Sequence, residues 1–280
     1  MEDEVEVLPS HMWMTLGQIK ELLKEDNLVN MDTRTVLSGL PFSRDLITEE
    51  EISKVKSYFS DESLFNSIYE KSKSTKLTDI YHIINDYKMF SEAKGKIIPL
   101  TSLQEWNCKR DEIVCNKTYG FKVIYCDVTI EGREVKEWEQ PMVEATGMAI
   151  FGLFTTVIGN TRKYLISIKK ELGCFDYVEM GASVQLESTY KVEELNSVES
   201  LFLEKYRRNE GVVTDVILSE EGGRFYHDQN YNVIIHLCED EIEELPEGYF
   251  WVSFAMLNDM IQFNNILNIQ LRNLIALIDI

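Results

Sequence analysis

The sequence predicts an α+β fold in which a curved, mixed or antiparallel β-sheet is flanked by helices. Helical patterns occupy both ends of the chain and residues 43–90, whereas β-branched and aromatic residues recur in short runs from Ile97 onward. The strands and helices do not alternate, which argues against a series of βαβ units. With 44% hydrophobic and 11% aromatic residues, the 280-residue chain has enough apolar side chains to bury a core.

An internal repeat relates the two ends of the chain. The segment Trp13–Leu16 aligns with the segment Trp251–Phe254, which lies 238 residues later, and the apolar residues of both copies follow the spacing of one buried helical face. Any two amphipathic helices share such spacing, but they do not share particular polar residues. The same offset pairs Asn27 with Asn265, Asn30 with Asn268 and Arg34 with Arg272. Each copy is therefore predicted to be a helix followed by a second short helix.

The stretch between the first copy and the strands is predicted to be a helical insert. Thr48 and Glu51 match a capping box, and Asp61 and Thr78 are candidate N-caps. The predicted organisation has three parts: residues 1–42 (first repeat copy), residues 43–96 (helical insert) and residues 97–280 (a sheet-containing module that ends in the second copy).

Six strands are predicted after the insert from their β-branched and aromatic residues and from glycine-bearing breaks. They are Tyr119–Ile130, Met148–Ile158, Lys163–Lys169, Tyr177–Gln185, Val212–Leu218 and Tyr231–Leu237. A helix from about Val198 to Arg208 interrupts them.

Charge and composition exclude several classes of protein. The chain has 28 Lys and Arg residues against 48 Asp and Glu residues, and its net charge of −20 argues against nucleic-acid binding. No apolar run reaches the roughly 20 residues of a membrane span, and the segment Met1–Glu4 is acidic where a secretory signal is basic. These features predict a cytoplasmic protein that does not associate with membranes.

Cysteine and histidine usage gives no sign of a metal site. The five cysteines include no C-x-x-C pair, and the four histidines are scattered without ligand spacing. We therefore expect free thiols and no structural or catalytic metal.

Three segments in the strand region carry more polar residues and glycines than packing requires. They are Arg133–Pro141 (REVKEWEQP), Lys170–Gly173 followed by Ser183–Gln185, and Ser219–Tyr226 (SEEGGRFY). These segments resemble the NDP-hexose 2,3-dehydratase family of deoxysugar biosynthesis, whose second module carries REV-x-x-W-x-QP, an E-x-G turn before a VQ strand, and SEEGGRFY. The repeat copies, at Trp13–Gln18 and Asn30–Leu37, are similar to the element that closes a module in this family. The resemblance covers nearly the whole chain.

The resemblance implies a Nudix-like fold for the module and a lyase activity. The implied reaction removes water across carbons 2 and 3 of an NDP-4-keto-6-deoxyhexose, most simply a dTDP-linked one, and it requires no cofactor. Metal-dependent Nudix hydrolysis is not expected. The stretch Arg133–Glu137 echoes the core of a Nudix box, but Trp138 stands where the box needs a second carboxylate.

The same motifs supply the candidate site residues. Proton transfer is assigned to Glu171, Glu220 and Tyr226, because carboxylates and phenols with tuned pKa values perform it. Glu171 is the first choice for the base, since it matches the glutamate of the E-x-G turn, and Glu220 is the second. Substrate binding is assigned to Arg133, Trp138, Gln140, Lys169, Gln185, Glu221 and Arg224. Each glutamate is equally well interpreted as a solvated loop charge, and Trp138 as a buried packing residue.

Two functional classes remain open from the sequence. The first is a catalytic dehydratase, and the second is a non-catalytic descendant that binds a nucleotide sugar or acts as a scaffold. Family members usually carry two tandem modules in one chain, whereas this sequence has one module preceded by a closing element. The middle motif also departs from the family at Ser167, Leu172, Ala182 and Ser183. A module that evolved beside another exposes an apolar face, and we expect a two-fold homodimer to cover it.

Overall fold

The computed structural model describes most of the chain. The described residues are 9–42, 47–69, 74–92, 95–132, 134–174, 176–238, 241–242 and 244–280. The candidate site residue Arg133 lies outside them.

Helices form the two repeat copies and the insert, and one further helix interrupts the strands. Their bounds are α1 (Leu16–Leu22), α2 (Met31–Ser38), α3 (Glu49–Lys56), α4 (Glu62–Ile68), α5 (Ser74–Phe90), α6 (Ser197–Arg208), α7 (Phe254–Met260) and α8 (Ile269–Ala276). The predicted capping box of Thr48 and the N-cap of Asp61 are confirmed. The prediction for Thr78 is wrong, because α5 continues through this residue from Ser74.

The strands form two sheets. Their bounds are β1 (Trp106–Cys108), β2 (Glu112–Cys115), β3 (Phe121–Thr129), β4 (Glu137–Ala145), β5 (Ile150–Ile158), β6 (Thr161–Lys170), β7 (Val178–Ala182), β8 (Val184–Leu186), β9 (Val212–Ser219), β10 (Gln229–His236) and β11 (Tyr249–Ser253). The small sheet has the order β1-β2-β3-β4 and is antiparallel. The large sheet has the path β11-β6-β5-β10-β9, with β7 on β6 and β8 on β5. Among the described strands of this sheet, β5 and β10 pair in parallel and the other pairs are antiparallel, so the mixed sheet and the α+β class are confirmed. The Nudix-like identity of the fold stays a prediction.

The predicted strand Tyr177–Gln185 is two strands, because the chain changes partner at Ser183. β7 pairs with β6 and β8 pairs with β5. The buried hydroxyl of Ser183 donates to the carbonyl of Leu165 at 2.6 Å and accepts from the N–H of Phe154 at 2.9 Å. The strands β5 and β6 therefore separate beyond this point, and the β7–β8 segment fills the space between them.

The large sheet is covered on both faces. Helix α8 contacts β5, β7 and β10, whereas α6 contacts β8 and β10 through an apolar cluster that includes Phe154 and Phe202. Gly152 permits this close packing, since a Cβ atom at this position would lie 2.2 Å from the Phe202 ring. None of the helices among the described residues has the length and apolar character that crossing a bilayer requires.

The two repeat copies have matching structures. Helices α1 and α7, and helices α2 and α8, begin and end at positions 238 residues apart. Asn27 and Asn265 both have a φ of 57°. The first helix of each copy donates to the end of the second helix of the other: Lys20 Nζ to the carbonyls of Ala276 and Ile278, and Asn258 Nδ2 to the carbonyl of Leu40. The copies are therefore related by an approximate two-fold axis.

Candidate functional site

Two of the three motif segments meet in the folded chain. The N–H of Val143 on β4 donates to the carbonyl of Arg224 at 2.8 Å, and the N–H of Tyr226 donates to the carbonyl of Val143 at 2.7 Å. The loop 219–226 thus lies along β4, where Phe225 forms an isolated parallel bridge with Val143. The W-x-QP end of the first segment and the SEEGGRFY loop consequently form one wall.

Trp138 and Gln140 hold this loop in place. The indole N–H of Trp138 donates to Gln140 Oε1 at 2.6 Å, and Gln140 Nε2 donates to the carbonyl of Gly223 at 2.7 Å. Both side chains were predicted to contact substrate. In this structure their polar atoms bind each other and the glycine turn.

A cleft of about 370 Å³ lies between this loop and the helical ends. Its polar lining includes Glu187, Glu220, Asp228, Asn230 and Arg224. The first residues of α2 and α8, Met31 and Ile269, also line it and occupy equivalent positions of the two repeat copies.

Three carboxyl groups in this cleft have raised pKa values. Burial raises the pKa of Glu220, and the charge of Asp228 adds to this, against a hydrogen bond from Asn230 at 2.9 Å and the charges of Arg34 and Arg224. Burial and the charge of Glu220 raise the pKa of Glu187. Burial and the charge of Glu187 raise that of Asp228, against a hydrogen bond from a backbone N–H. Carboxyl groups held in this way exchange protons closer to neutral pH.

Arg34 connects the first repeat copy to this site. Its guanidinium is fully buried and donates to the carbonyl of Ser219 at 2.6 Å, to the carbonyl of Val29 at 2.6 Å and to Asn273 Oδ1 at 3.2 Å. Ser219 immediately precedes Glu220, so α2 fixes the start of the SEEGGRFY loop.

None of the described residues of the middle motif lines the cleft. Lys169 Nζ is 3.9 Å from a carboxylate oxygen of Glu199, and Gln185 Oε1 accepts from Asn268 at the N-cap of α8. Glu171 lies at the end of β6, where its N–H donates to Tyr177. Glu171 is not among the residues that line the cleft.

The remaining predicted residues lie at the edge of the site. Glu221 and Arg224 form a partly exposed ion pair with an N···O distance of 2.7 Å. The ring of Tyr226 stacks on that of His227, with centroids 4.4 Å apart. Of the predicted residues that the structure describes, Glu220 and Arg224 line the cleft.

Sequence reasoning missed Glu187, Asp228 and Arg34. Glu187 stands two residues after Gln185, and Asp228 two residues after the SEEGGRFY motif, so proximity to a motif was the available signal. Arg34 was noted as a repeat match, and a matching arginine on a buried helical face would have indicated a buried cation. Among the described residues, no group of three His, Cys, Asp or Glu side chains is placed to hold a metal ion.

Comparison with known proteins identifies the family. The family model described as NDP-hexose 2,3-dehydratase matches residues 1–40 and 77–278. The unmatched residues 41–76 fall largely in the predicted helical insert.

Three curated relatives match nearly the whole chain, and each is named dTDP-4-dehydro-6-deoxy-alpha-D-glucopyranose 2,3-dehydratase. The relative from Saccharopolyspora spinosa is 32% identical over 99% of this chain and 57% of its own length. Those from Streptomyces violaceoruber and Amycolatopsis orientalis are 30% and 28% identical, over 58% and 54% of their lengths. The chain thus spans little more than half the length of these relatives. The family match over most of its residues shows that the chain belongs to the NDP-hexose 2,3-dehydratase family.

Proposed function

We propose that the chain is a lyase that removes water across carbons 2 and 3 of a dTDP-linked 4-keto-6-deoxyhexose. The observation that carries this proposal is the cleft in which Glu187, Glu220 and Asp228 all have raised pKa values. The curated relatives, which bear the name of this activity, support the choice of substrate.

The reaction requires a proton acceptor and a proton donor. The keto group at carbon 4 acidifies the C–H bond at carbon 3, and loss of that proton expels the hydroxyl group at carbon 2 as water once the hydroxyl is protonated. Buried carboxyl groups that influence each other's ionisation suit both steps, because one is ionised while a neighbour retains its proton. Glu220 is the central one of the three carboxyl groups, since its charge raises the pKa of Glu187 and the charge of Asp228 raises its own pKa.

The diphosphate needs positive charge on a chain whose net charge is −20. Arg224 provides a guanidinium at the cleft, and the first residues of α2 and α8 both line it, where the partial positive charge of a helix N-terminus favours anions. The nucleotide base can stack on the cluster of Trp106, Tyr119 and Phe121, because Phe121 also lines the cleft.

Several expectations from the sequence stay predictions. Glu171 as the base, Lys169 and Gln185 as binding residues, the Nudix-like identity, the homodimer and the cytoplasmic location have no further support beyond the sequence. The homodimer is tested by light scattering at micromolar concentration, where a monomer would contradict it.

The activity is tested by incubating the purified chain with dTDP-4-keto-6-deoxyglucose and following the product by mass spectrometry. We expect the loss of one water molecule from the sugar in the presence of the chain, and a rate of loss lower by about 10²–10⁴ with the Glu220→Gln variant. Unchanged substrate together with measurable binding of dTDP would contradict the lyase and support the non-catalytic alternative.

A further inference from the structure

Three buried polar side chains form one row across the large sheet. Thr155 on β5 is the register partner of both Tyr164 on β6 and His236 on β10, so the three side chains point to the same face. Tyr164 OH, Thr155 Oγ1 and His236 Nδ1 are buried and have no hydrogen-bond partner among the described residues. Buried polar groups are normally paired, because leaving one unpaired destabilises the fold. The row therefore points to a bound molecule as the partner of these groups.

Two of these groups lie at a cavity of about 340 Å³. Tyr164 and Thr155 are only 1% and 2% exposed, and both line this cavity. Its volume lies at the lower end of the range for small-molecule sites, which is about 300–1,000 Å³. The apolar part of the lining consists of Leu64, Val213, Ile234, Leu277 and Ile278. The cavity therefore combines buried hydroxyl groups with an apolar wall.

The cavity and the candidate cleft lie at different positions along the same two strands. The cleft is lined by Phe151 of β5 and Asn230 of β10, whereas the cavity is lined by Thr155 and Ile234 of these strands. Four residues of extended strand correspond to about 13 Å. One wall of the cavity also comes from Asp61 and its neighbours, in the part of the insert that the family model does not match. The cavity is therefore a second site, separate from the one assigned to the dehydration.

The charged groups at the cavity are already paired. The guanidinium of Arg162 donates to Asp61 Oδ2, from Nε at 3.1 Å and from Nη2 at 2.7 Å. Asp279 also lines the cavity, and a carboxylate oxygen of this residue is 3.5 Å from Lys24 Nζ. Two carboxylates thus accompany one guanidinium among the described residues of the lining. Because like charges repel, the cavity disfavours phosphate and other anions.

The two hydroxyl groups at the cavity are neutral donors and acceptors. Burial raises the pKa of Tyr164, so its hydroxyl keeps its proton at neutral pH. The hydroxyls of Tyr164 and Thr155 can each donate one hydrogen bond and accept others, as the hydroxyl groups of a sugar do. The apolar part of the lining suits the C–H groups of a sugar ring. An uncharged ring that carries several hydroxyl groups therefore matches both parts of the cavity.

We propose that this cavity is a binding site for an uncharged monosaccharide. Hydroxyl groups of the sugar bind Tyr164 OH and Thr155 Oγ1, and the C–H groups of its ring pack on the apolar wall. The site takes a sugar without its nucleotide, because a diphosphate here would lie beside the carboxylates of Asp61 and Asp279. The proposal does not rest on the lyase activity, which is assigned to the cleft.

The proposal is tested by titrating the 280-residue chain with four sugars and following saturation-transfer NMR signals of the sugar protons. The probes are 6-deoxy-D-glucose, D-fucose, L-rhamnose and D-glucose. At least one of them should bind saturably, with a dissociation constant below about 10 mM for a ligand of this size. D-Glucose 6-phosphate should bind at least tenfold more weakly than D-glucose, because its phosphate meets the carboxylates of the lining.

Two variants remove one hydroxyl group each and keep the shape of the side chain. Tyr164→Phe and Thr155→Val should each weaken sugar binding at least tenfold. Neither should lower the melting temperature, because each removes a buried polar atom that has no partner among the described residues. The matched control is Tyr125→Phe, the same change at a tyrosine that is 50% exposed on β3, and it should bind within twofold of the unchanged chain.

Each remaining outcome decides the proposal. Failure of all four sugars to bind saturably would overturn it and leave the two hydroxyl groups to water. Binding that the variants do not weaken would place the sugar elsewhere, for example in the cleft, and would overturn it as well. Tighter binding of the phosphorylated sugar would contradict an uncharged ligand. Where one of the variants does not fold, the affinity of the other decides, and none of these readouts depends on turnover.

Discussion

Replacing Glu220 by glutamine separates proton transfer from structure at the candidate site. The change is isosteric, and a glutamine oxygen can still accept the 2.9 Å hydrogen bond from Asn230. The variant therefore loses the ionisable proton and the charge, while the loop 219–226 keeps its contacts with β4. A positioned proton-transfer group contributes about 10²–10⁴ in rate, so turnover should fall by that factor, which is about 3–5 kcal/mol of activation free energy.

The assay is product formation from dTDP-4-keto-6-deoxyglucose under single-turnover conditions, with dTDP affinity measured separately by calorimetry. Affinity should change by less than about threefold, because the diphosphate is assigned to other groups. Glu171→Gln is the matched comparison, since it makes the same chemical change at a glutamate outside the cleft. Near-normal turnover of Glu220→Gln, with a loss of two to four orders of magnitude in Glu171→Gln, would refute the assignment and restore the base predicted from the sequence.

Three further outcomes follow from the same structure. Because the pKa of Glu220 is raised in the folded state, its stabilising contribution is present below the unfolded pKa and is lost as pH rises through the folded pKa. The melting temperature of the wild type should therefore rise relative to that of Glu220→Gln as the pH falls from 7 toward 5. A constant difference between the two melting temperatures would contradict the raised pKa. Gly152→Ala places a Cβ atom 2.2 Å from Phe202 and should reduce the free energy of unfolding in urea by about 1–3 kcal/mol or more, whereas the helical control Gly17→Ala should not reduce it. Turnover should survive EDTA, because the elimination needs no electron acceptor and the described residues offer no metal-binding cluster; a rate restored only by added divalent ions would contradict this.

Local pattern predicted the strands β5, β6, β9 and β10 of the large sheet, because they carry β-branched and aromatic runs. The strand predicted at Val212–Leu218, for example, is β9 with one additional residue. The short strands β1 and β2 were missed, since three or four residues give too little periodicity. The strands β4 and β11 are also absent from the six predicted strands. The separate small sheet was also missed, because periodicity identifies strands and does not identify their partners.

The position of Glu171 outside the cleft lining has a physical cause. In a regular hairpin of β5 and β6, the end of β6 would lie beside residue 149, at the cleft. The pairing of β5 with β6 instead stops at Thr155 and Tyr164, and the β7–β8 segment enters between the two strands. That separation depends on the side chain of Ser183 and on the packing around it, which sequence motifs do not encode.

The repeat explains why the cleft includes residues from both ends of the chain. Met31 and Ile269 occupy the same repeat position, each as the first residue of its helix, and both line the cleft. The approximate two-fold axis therefore brings two helix N-termini to one place, and their combined partial charge favours an anion beside three carboxyl groups. The two copies differ in the contacts of their matching arginines. The guanidinium of Arg34 on α2 donates to the carbonyl of Ser219, the residue that precedes Glu220. Arg272 Nε on α8 donates to the nearby carbonyl of Leu267. The first copy thus contributes Met31 to the cleft lining and holds, through Arg34, the residue that precedes the central carboxyl group.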